Sequence, residues 1–205
     1  MELTNEQKKK GIWLEIKDLF TGAAFPVMLQ LILSASIILF VDALSEDTAL
    51  QIVVLVIGEL LFMGAYTIFG RQNGITAYRR TVQNAKKREM QADDLTCWLK
   101  TGDYAVWKGI VIGLITVIPF MFVQFIHCVA PNLVCEFILK YAFGWAAYPF
   151  IVIGQAAGEL SQWLNYIWII VPVGVHTAAY VWGASIEKKR RQKVAEAQEF
   201  KQRRK

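Results

Sequence analysis

The chain has 205 residues, of which 55% are hydrophobic and 19% are charged, and its formal net charge is +5. An average soluble domain has about 25% charged residues. Because the 14 Gly follow no period and there are only 5 Pro and 3 Cys, the chain is not collagen-like, disordered or rich in disulfides. Its apolar residues gather in blocks of about 17 to 25 residues, the length that crosses a bilayer as a helix. The sequence therefore predicts an all-α, polytopic membrane protein.

The segment before the first apolar block mixes apolar and charged side chains, for example Ile12 and Ile16 beside Lys10. This pattern places apolar groups along one side of a helix. Residues 1–23 are therefore predicted to form a cytoplasmic interfacial helix, and residues 24–183 the transmembrane domain. The predicted spanning helices lie at about residues 24–41, 50–69, 104–126 and 163–183.

Two polar segments are predicted to lie outside the bilayer. Residues 71–103 carry widely spaced apolar residues among charged ones. We expect two cytoplasmic helices here, separated near residues 91–94. Residues 184–205 are highly charged and favour helix, so they are predicted to form a basic cytoplasmic helical tail that extends the last span.

The distribution of Lys and Arg predicts the orientation. Of 22 such residues, 4 precede the first span, 7 lie in the 71–103 insert and 9 follow the last span. The short turns after the first and third spans contain none. Because positive residues are retained on the cytoplasmic side, a multi-pass protein of the cell membrane with both termini in the cytoplasm is expected.

A fifth apolar stretch decides the number of crossings. Residues 136–159 are interrupted by Lys140 and Gly144, and Pro149 lies near the midpoint between Lys140 and Glu159. A helix breaks at such a proline, and a second full crossing after the third span would place the basic tail outside. The segment is therefore predicted to be a re-entrant or interfacial hairpin. The alternative is a fifth transmembrane helix with a proline kink.

Cys128 and Cys135 bracket the turn that is predicted to face outward, where thiols are oxidised. A disulfide between them is the prediction, and two unpaired thiols are the alternative. No metal site is expected, because a closed zinc site needs four ligands and no His or Cys pair has suitable spacing.

Polar residues inside the predicted spans are the candidates for chemistry. Glu59 lies near the middle of the second span, where an ionisable group costs about 2.5 to 3.5 kcal/mol on insertion scales. Gln30 and His176 lie about 5 to 7 residues and Glu59 about 10 residues from the cytoplasmic ends of their spans, so at about 1.5 Å per residue their depths differ by less than about 10 Å. With Tyr66, two turns from Glu59, they are predicted to share one polar pocket that passes a proton or holds a cation. The alternative is a purely structural role.

Known enzyme motifs such as GxSxG, HExxH and the Walker loop are absent from the sequence, so neither an enzyme nor a cofactor is expected. Runs of Lys and Arg are expected to lie against anionic headgroups rather than nucleic acid, for which no reader motif is present. Two functions remain open. One is a small transport protein or channel for an ion or small solute, as a monomer or a homo-oligomer. The other is a non-catalytic subunit or scaffold of a membrane complex that docks a cytoplasmic partner.

Overall fold

The computed structural model describes residues 4–44, 48–90, 95–99, 101–146 and 168–203. Within these ranges all regular structure is helical, which confirms the predicted all-α class. The helices are α1 (Asn5–Ala43), α2 (Thr48–Glu89), α3 (Leu95–Trp98), α4 (Val106–Val129), α5 (Leu133–Phe143) and α6 (Ile170–Arg203), and a short 3₁₀ helix, Gly144–Ala146, follows α5.

Three helices, α1, α2 and α4, are long and apolar enough to cross a membrane. Large apolar side chains remain exposed along them, such as Phe25 on α1, Leu60 on α2 and Phe122 on α4, each more than 60% exposed. Such surfaces are unfavourable in water and suited to lipid. The chain thus has the helices of a multi-pass membrane protein. The predicted fourth span, 163–183, lies partly outside the described residues. From Ile170 onward it forms the first part of α6.

At two residues where the sequence predicts a boundary between a soluble and a membrane segment, the helix continues without a break. The interfacial helix predicted for residues 1–23 and the first span form the single helix α1, which continues through Pro26. It begins at a capping box in which Thr4 and Gln7 satisfy each other's backbone N–H groups. In the same way α2 carries the second span into the 71–103 insert without a break as far as Glu89. The separation predicted near residues 91–94 falls outside the described ranges.

The four long helices pack in the cyclic order α1, α2, α6, α4. One end of this bundle holds the start of α1, the last turns of α2 and the C-terminal part of α6. We call it the basic end. Helix α5 and the 3₁₀ helix pack against α1 and α4 near the opposite end. Helices α2 and α6 therefore run parallel to each other, as do α1 and α4, whereas the α1–α2 and α4–α6 pairs are antiparallel.

The contact between α2 and α6 depends on small residues. A Cβ atom at Gly74 would collide with the backbone carbonyl of Tyr180, and one at Gly183 would collide with the carbonyl of Arg71. A Cβ at Gly70 would lie 2.5 Å from the carbonyl oxygen of His176. Gly70 and Gly74 form the GxxxG spacing that lets two helices approach closely.

Candidate functional site

Buried polar side chains meet in the middle of the bundle around Gln30. Its neighbours fix the orientation of the amide: the oxygen accepts from the indole N–H of Trp145 at 2.6 Å, and the nitrogen donates to the Thr116 carbonyl at 3.2 Å and to the Tyr66 hydroxyl at 3.3 Å. The Tyr66 hydroxyl donates to Thr116 Oγ1 at 3.1 Å, and Thr116 donates to the Gly113 carbonyl at 2.6 Å. Gln30, Tyr66, Thr116 and Trp145 are each at most 1% exposed. We call these four residues the central network.

His176 lies one layer nearer the basic end. Its Nδ1 lies 3.2 Å from the Gly109 carbonyl, and its Nε2 lies 3.5 Å from Nδ2 of Asn73. The carbonyl can only accept and the amide nitrogen can only donate, so the ring is neutral with its proton on Nδ1. The ring packs edge-on to Tyr66, with a centroid separation of 6.3 Å. Two of the predicted site residues thus touch, and Tyr66 joins His176 to the central network.

Aromatic rings cover the central network on the side away from the basic end. Phe62 stacks on Trp145 with ring centroids 4.5 Å apart, and Phe120 lies 5.6 Å from the same indole. Phe143 contacts Phe120 in turn at 6.0 Å. We call Phe62, Phe120, Phe143 and Trp145 the aromatic layer. All four are 5% exposed or less.

Glu59 lies one turn of α2 beyond Phe62 and stands apart from the other predicted site residues. Its Oε1 accepts a hydrogen bond from the indole N–H of Trp168 at 3.2 Å. The buried Oε2 has no hydrogen-bond partner in the described part of the chain. Residues Gln30, Tyr66 and His176 are therefore brought together, and Glu59 is separated from them by the aromatic layer.

A cavity of about 130 Å³ opens where α1, α2, α4 and α6 meet at the basic end. Its wall carries Asp18, Arg80 and Lys108, together with the hydroxyl-bearing Tyr180. Asp18 forms an ion pair with Arg80, and Lys108 forms one with Glu15. Lys108 is only 6% exposed. The mouth of the bundle is thus lined by charges of both signs.

Asn73 connects this cavity to His176 and the central network, which lie deeper in the bundle. It lies in the cavity wall, donates to the Gly22 carbonyl at 3.1 Å, and contacts His176. Polar side chains therefore follow one another along the bundle interior, from the cavity through Asn73 and His176 to Tyr66. We call this series the polar column.

Beyond the cavity, Glu187 joins the extensions of α2 and α6. It is 2% exposed and forms ion pairs with Arg79 at 3.2 Å, Arg190 at 3.0 Å and Arg191 at 3.0 Å. Hydrogen bonding to Arg190, followed by that to Arg79, lowers the pKa of Glu187 to about 2 against the opposing effect of burial. This carboxylate therefore stays ionised and holds the two helices together.

At the opposite end, the predicted hairpin residue Lys140 forms an ion pair with Asp42 at 2.9 Å, and Tyr141 donates to the same carboxylate at 2.9 Å. Gly144 is buried where α5 passes into the 3₁₀ helix. Pro149 and Glu159, the apex and end of the predicted hairpin, lie outside the described residues.

Cys128 and Cys135 carry no bridge in the structure. Gln124 donates to the Cys128 sulfur at 3.5 Å, and Asn132, which caps α5, lies 3.3 Å from the Cys135 sulfur. The disulfide between them stays a prediction.

Sequence reasoning missed Asn73, Thr116 and Trp145, because each residue type is common and none stands out in its own segment. The Gly70 to Gly74 spacing was a usable signal, since it marks the helix contact that brings Asn73 to His176. Among the described residues, no group of three or more His, Cys, Asp or Glu side chains is placed to hold a metal ion. No family model, curated protein or solved structure matches the chain.

Proposed function

We propose that the chain is a small membrane transport protein or channel for an ion or a small solute. The observation that carries this proposal is the polar column, which runs inside a bundle with three helices able to cross a membrane. Polar side chains at membrane depth are costly and commonly mark the routes of ions and substrates. The column gives a solute polar contacts over the half of the bundle nearer the basic end.

In this proposal the aromatic layer closes the route. Phe62, Trp145 and Phe120 lie between Glu59 and the other residues of the central network, and hydrophobic constrictions gate pores by excluding water. The 3₁₀ helix that holds Trp145 packs between α1, α2 and α5. A shift of this short helix would part Trp145 from both Phe62 and Gln30, which would open the way to Glu59.

The proposed topology follows from the charges. The basic end faces the cytoplasm, because it holds the Lys and Arg runs of α1, α2 and α6. Helix α6 then contributes the fourth crossing, both termini are cytoplasmic, and residues 136–159 form a hairpin that does not cross. The protein sits in the cell membrane, where the basic runs contact anionic headgroups, and it acts as a homo-oligomer.

Flux in reconstituted liposomes tests the proposal. We expect a proton or cation gradient to drive flux through the wild type, and Glu59→Gln to reduce it at least tenfold or remove its pH dependence. The neutral isostere relieves the burial cost, so folding is retained. His176→Gln should change the pH dependence of the same flux, because His176 lies in the polar column. Glu199→Gln on the exposed part of α6 is the matched control. Absence of flux under every gradient in the wild type contradicts the proposal.

The second candidate is a scaffold that docks a cytoplasmic partner. This candidate is favoured by two exposed apolar side chains near the end of α6, Val194 (51% exposed) and Phe200 (57% exposed), which a partner could cover. Mass measurement in mild detergent separates the two functions. A homo-oligomer favours transport, whereas a different co-purifying chain that is lost in a Val194→Ser, Phe200→Ser variant favours the scaffold.

A further inference from the structure

The cavity at the basic end has the dimensions of a site for a small molecule. Its volume of about 130 Å³ equals about four waters at roughly 30 Å³ each. It therefore suits a ligand of about half a dozen non-hydrogen atoms. Gly102 lies over the ion pair of Asp18 and Arg80, where a Cβ atom would be 3.0 Å from Arg80 Nη1 and 3.6 Å from Asp18 Oδ2.

The charges around this cavity balance. Asp18 and Glu15 are matched by Arg80 and Lys108 in two ion pairs. An ion of either sign would add an uncompensated charge to a partly buried site, which is costly. A molecule that carries an ammonium group and a carboxylate adds no net charge and can pair with both signs.

Tyr180 supplies an independent observation that points to a ligand. The residue is 1% exposed and lines the cavity. Its hydroxyl has no partner with good hydrogen-bond geometry in the described ranges, although a hydrogen-bonding group of the Ala105 backbone lies near it. An unpaired buried hydroxyl is unfavourable, and a ligand that bonds to it would remove this cost.

We infer that the cavity binds a small zwitterion of the size of glycine or alanine. Its carboxylate accepts from Arg80 and Lys108, its ammonium group donates to Asp18, and the Tyr180 hydroxyl completes the site. The cavity lies at the cytoplasmic end of the polar column in the proposed topology, so it would be the first binding site for a solute that enters from the cytoplasm. This role, though not the binding itself, rests on the proposed function.

Calorimetry on the full chain in detergent tests the assignment. Glycine and L-alanine are compared with ethylamine, which has only the cation, and with acetate, which has only the anion. The zwitterions should bind at least tenfold more tightly than either single-charge compound. Equal affinity for all four compounds, or no binding of the zwitterions, overturns the inference.

Two variants separate the site from folding. Tyr180→Phe removes only the buried hydroxyl, so it should weaken glycine binding about threefold to tenfold without lowering thermal stability. Tyr78→Phe, outside the cavity wall, is the matched control. Asp18→Asn should abolish the preference for the zwitterion over acetate. Unchanged glycine affinity in both Tyr180→Phe and Asp18→Asn overturns the inference.

The outcomes distinguish this inference from the proposed function. If liposomes show proton or cation flux and no zwitterion binds, transport stands and the site assignment is wrong. If glycine binds with the expected variant effects and no solute crosses the membrane, the site assignment stands and transport is wrong.

Discussion

The basic end and the middle of the bundle are both joined by polar side chains, but the two regions use different chemistry. At the basic end the helices are tied by ionised groups, such as Glu187 with Arg79 between α2 and α6, and Asp18 with Arg80 between α1 and α2. In the middle, Gln30, Tyr66 and Thr116 are neutral and satisfy one another. Charged groups need water or close partners, whereas neutral groups need only hydrogen bonds.

The same four helices thus pass from the basic end, where side chains are exposed to water, into the middle of the bundle, where they are buried. The side chains of Arg79, Arg80 and Arg190 remain 44% to 60% exposed at the basic end, so their charges are partly solvated by water. The residues of the central network are almost completely buried, and each finds its partners inside the protein. Glu59, beyond the aromatic layer, departs from this pattern, since one of its carboxylate oxygens is buried without a hydrogen-bond partner among the described residues.

The largest effect is expected at the border between the two regions. Gly74→Ala should destabilise the protein by about 3 kcal/mol, because the new Cβ collides with a backbone carbonyl of α6 that cannot move aside. Gly64→Ala on the same helix is the matched control, since nothing lies within 4 Å of its Cβ position. Unfolding in mixed detergent micelles measures both variants. Equal stability of the two would show that α2 and α6 do not cross closely at Gly74.

A smaller effect is expected in the central network. Gln30→Leu leaves the Trp145 N–H without its acceptor and should cost about 1 to 2 kcal/mol. The cost should be the same at low and high salt and from about pH 5 to about pH 8, because none of the lost hydrogen bonds involves an ionised group. Gln72→Leu, at an exposed position of α2, is the control. A salt-dependent cost would mean that the middle region holds charge.

The smallest effect is expected at the basic end. Glu187→Gln should cost about 1 kcal/mol at pH 7, because its arginine partners are partly exposed to water. The native pKa of Glu187, about 2, lies below the ordinary value of 4.5. Its stabilising contribution is therefore present above about pH 5 and is lost as the pH falls toward 2. Thermal unfolding in detergent at pH 7, 5 and 3 should show the difference between wild type and variant shrinking. A difference that stays constant over this range would contradict the assignment.

Much of the fold follows from the sequence, because each apolar block is a feature of one continuous segment and does not depend on distant residues. A block of about 20 apolar residues must form a helix in hydrocarbon whatever packs around it, so α1, α2 and α4 lie where the composition placed them. Glu59, Gln30, Tyr66 and His176 are equally visible in the sequence, since each is a polar residue in an apolar run. The apolar pattern does not indicate that α1 and α2 continue without a break through residues 23 and 71, because a helix does not have to end where the bilayer is predicted to end.

What the sequence by itself determined is therefore the helical class, the apolar helices and the candidate polar residues. Only the tertiary structure decided which of them meet. Thr116 and Trp145 are ordinary in their own segments and become partners of Gln30 through the packing of α4 and the 3₁₀ helix on α1. Glu59 and Tyr66 share a face of α2, yet Phe62 and Trp145 stand between them. Spacing along one helix sets the direction of a side chain, whereas its partners are set by helices that are distant in the chain.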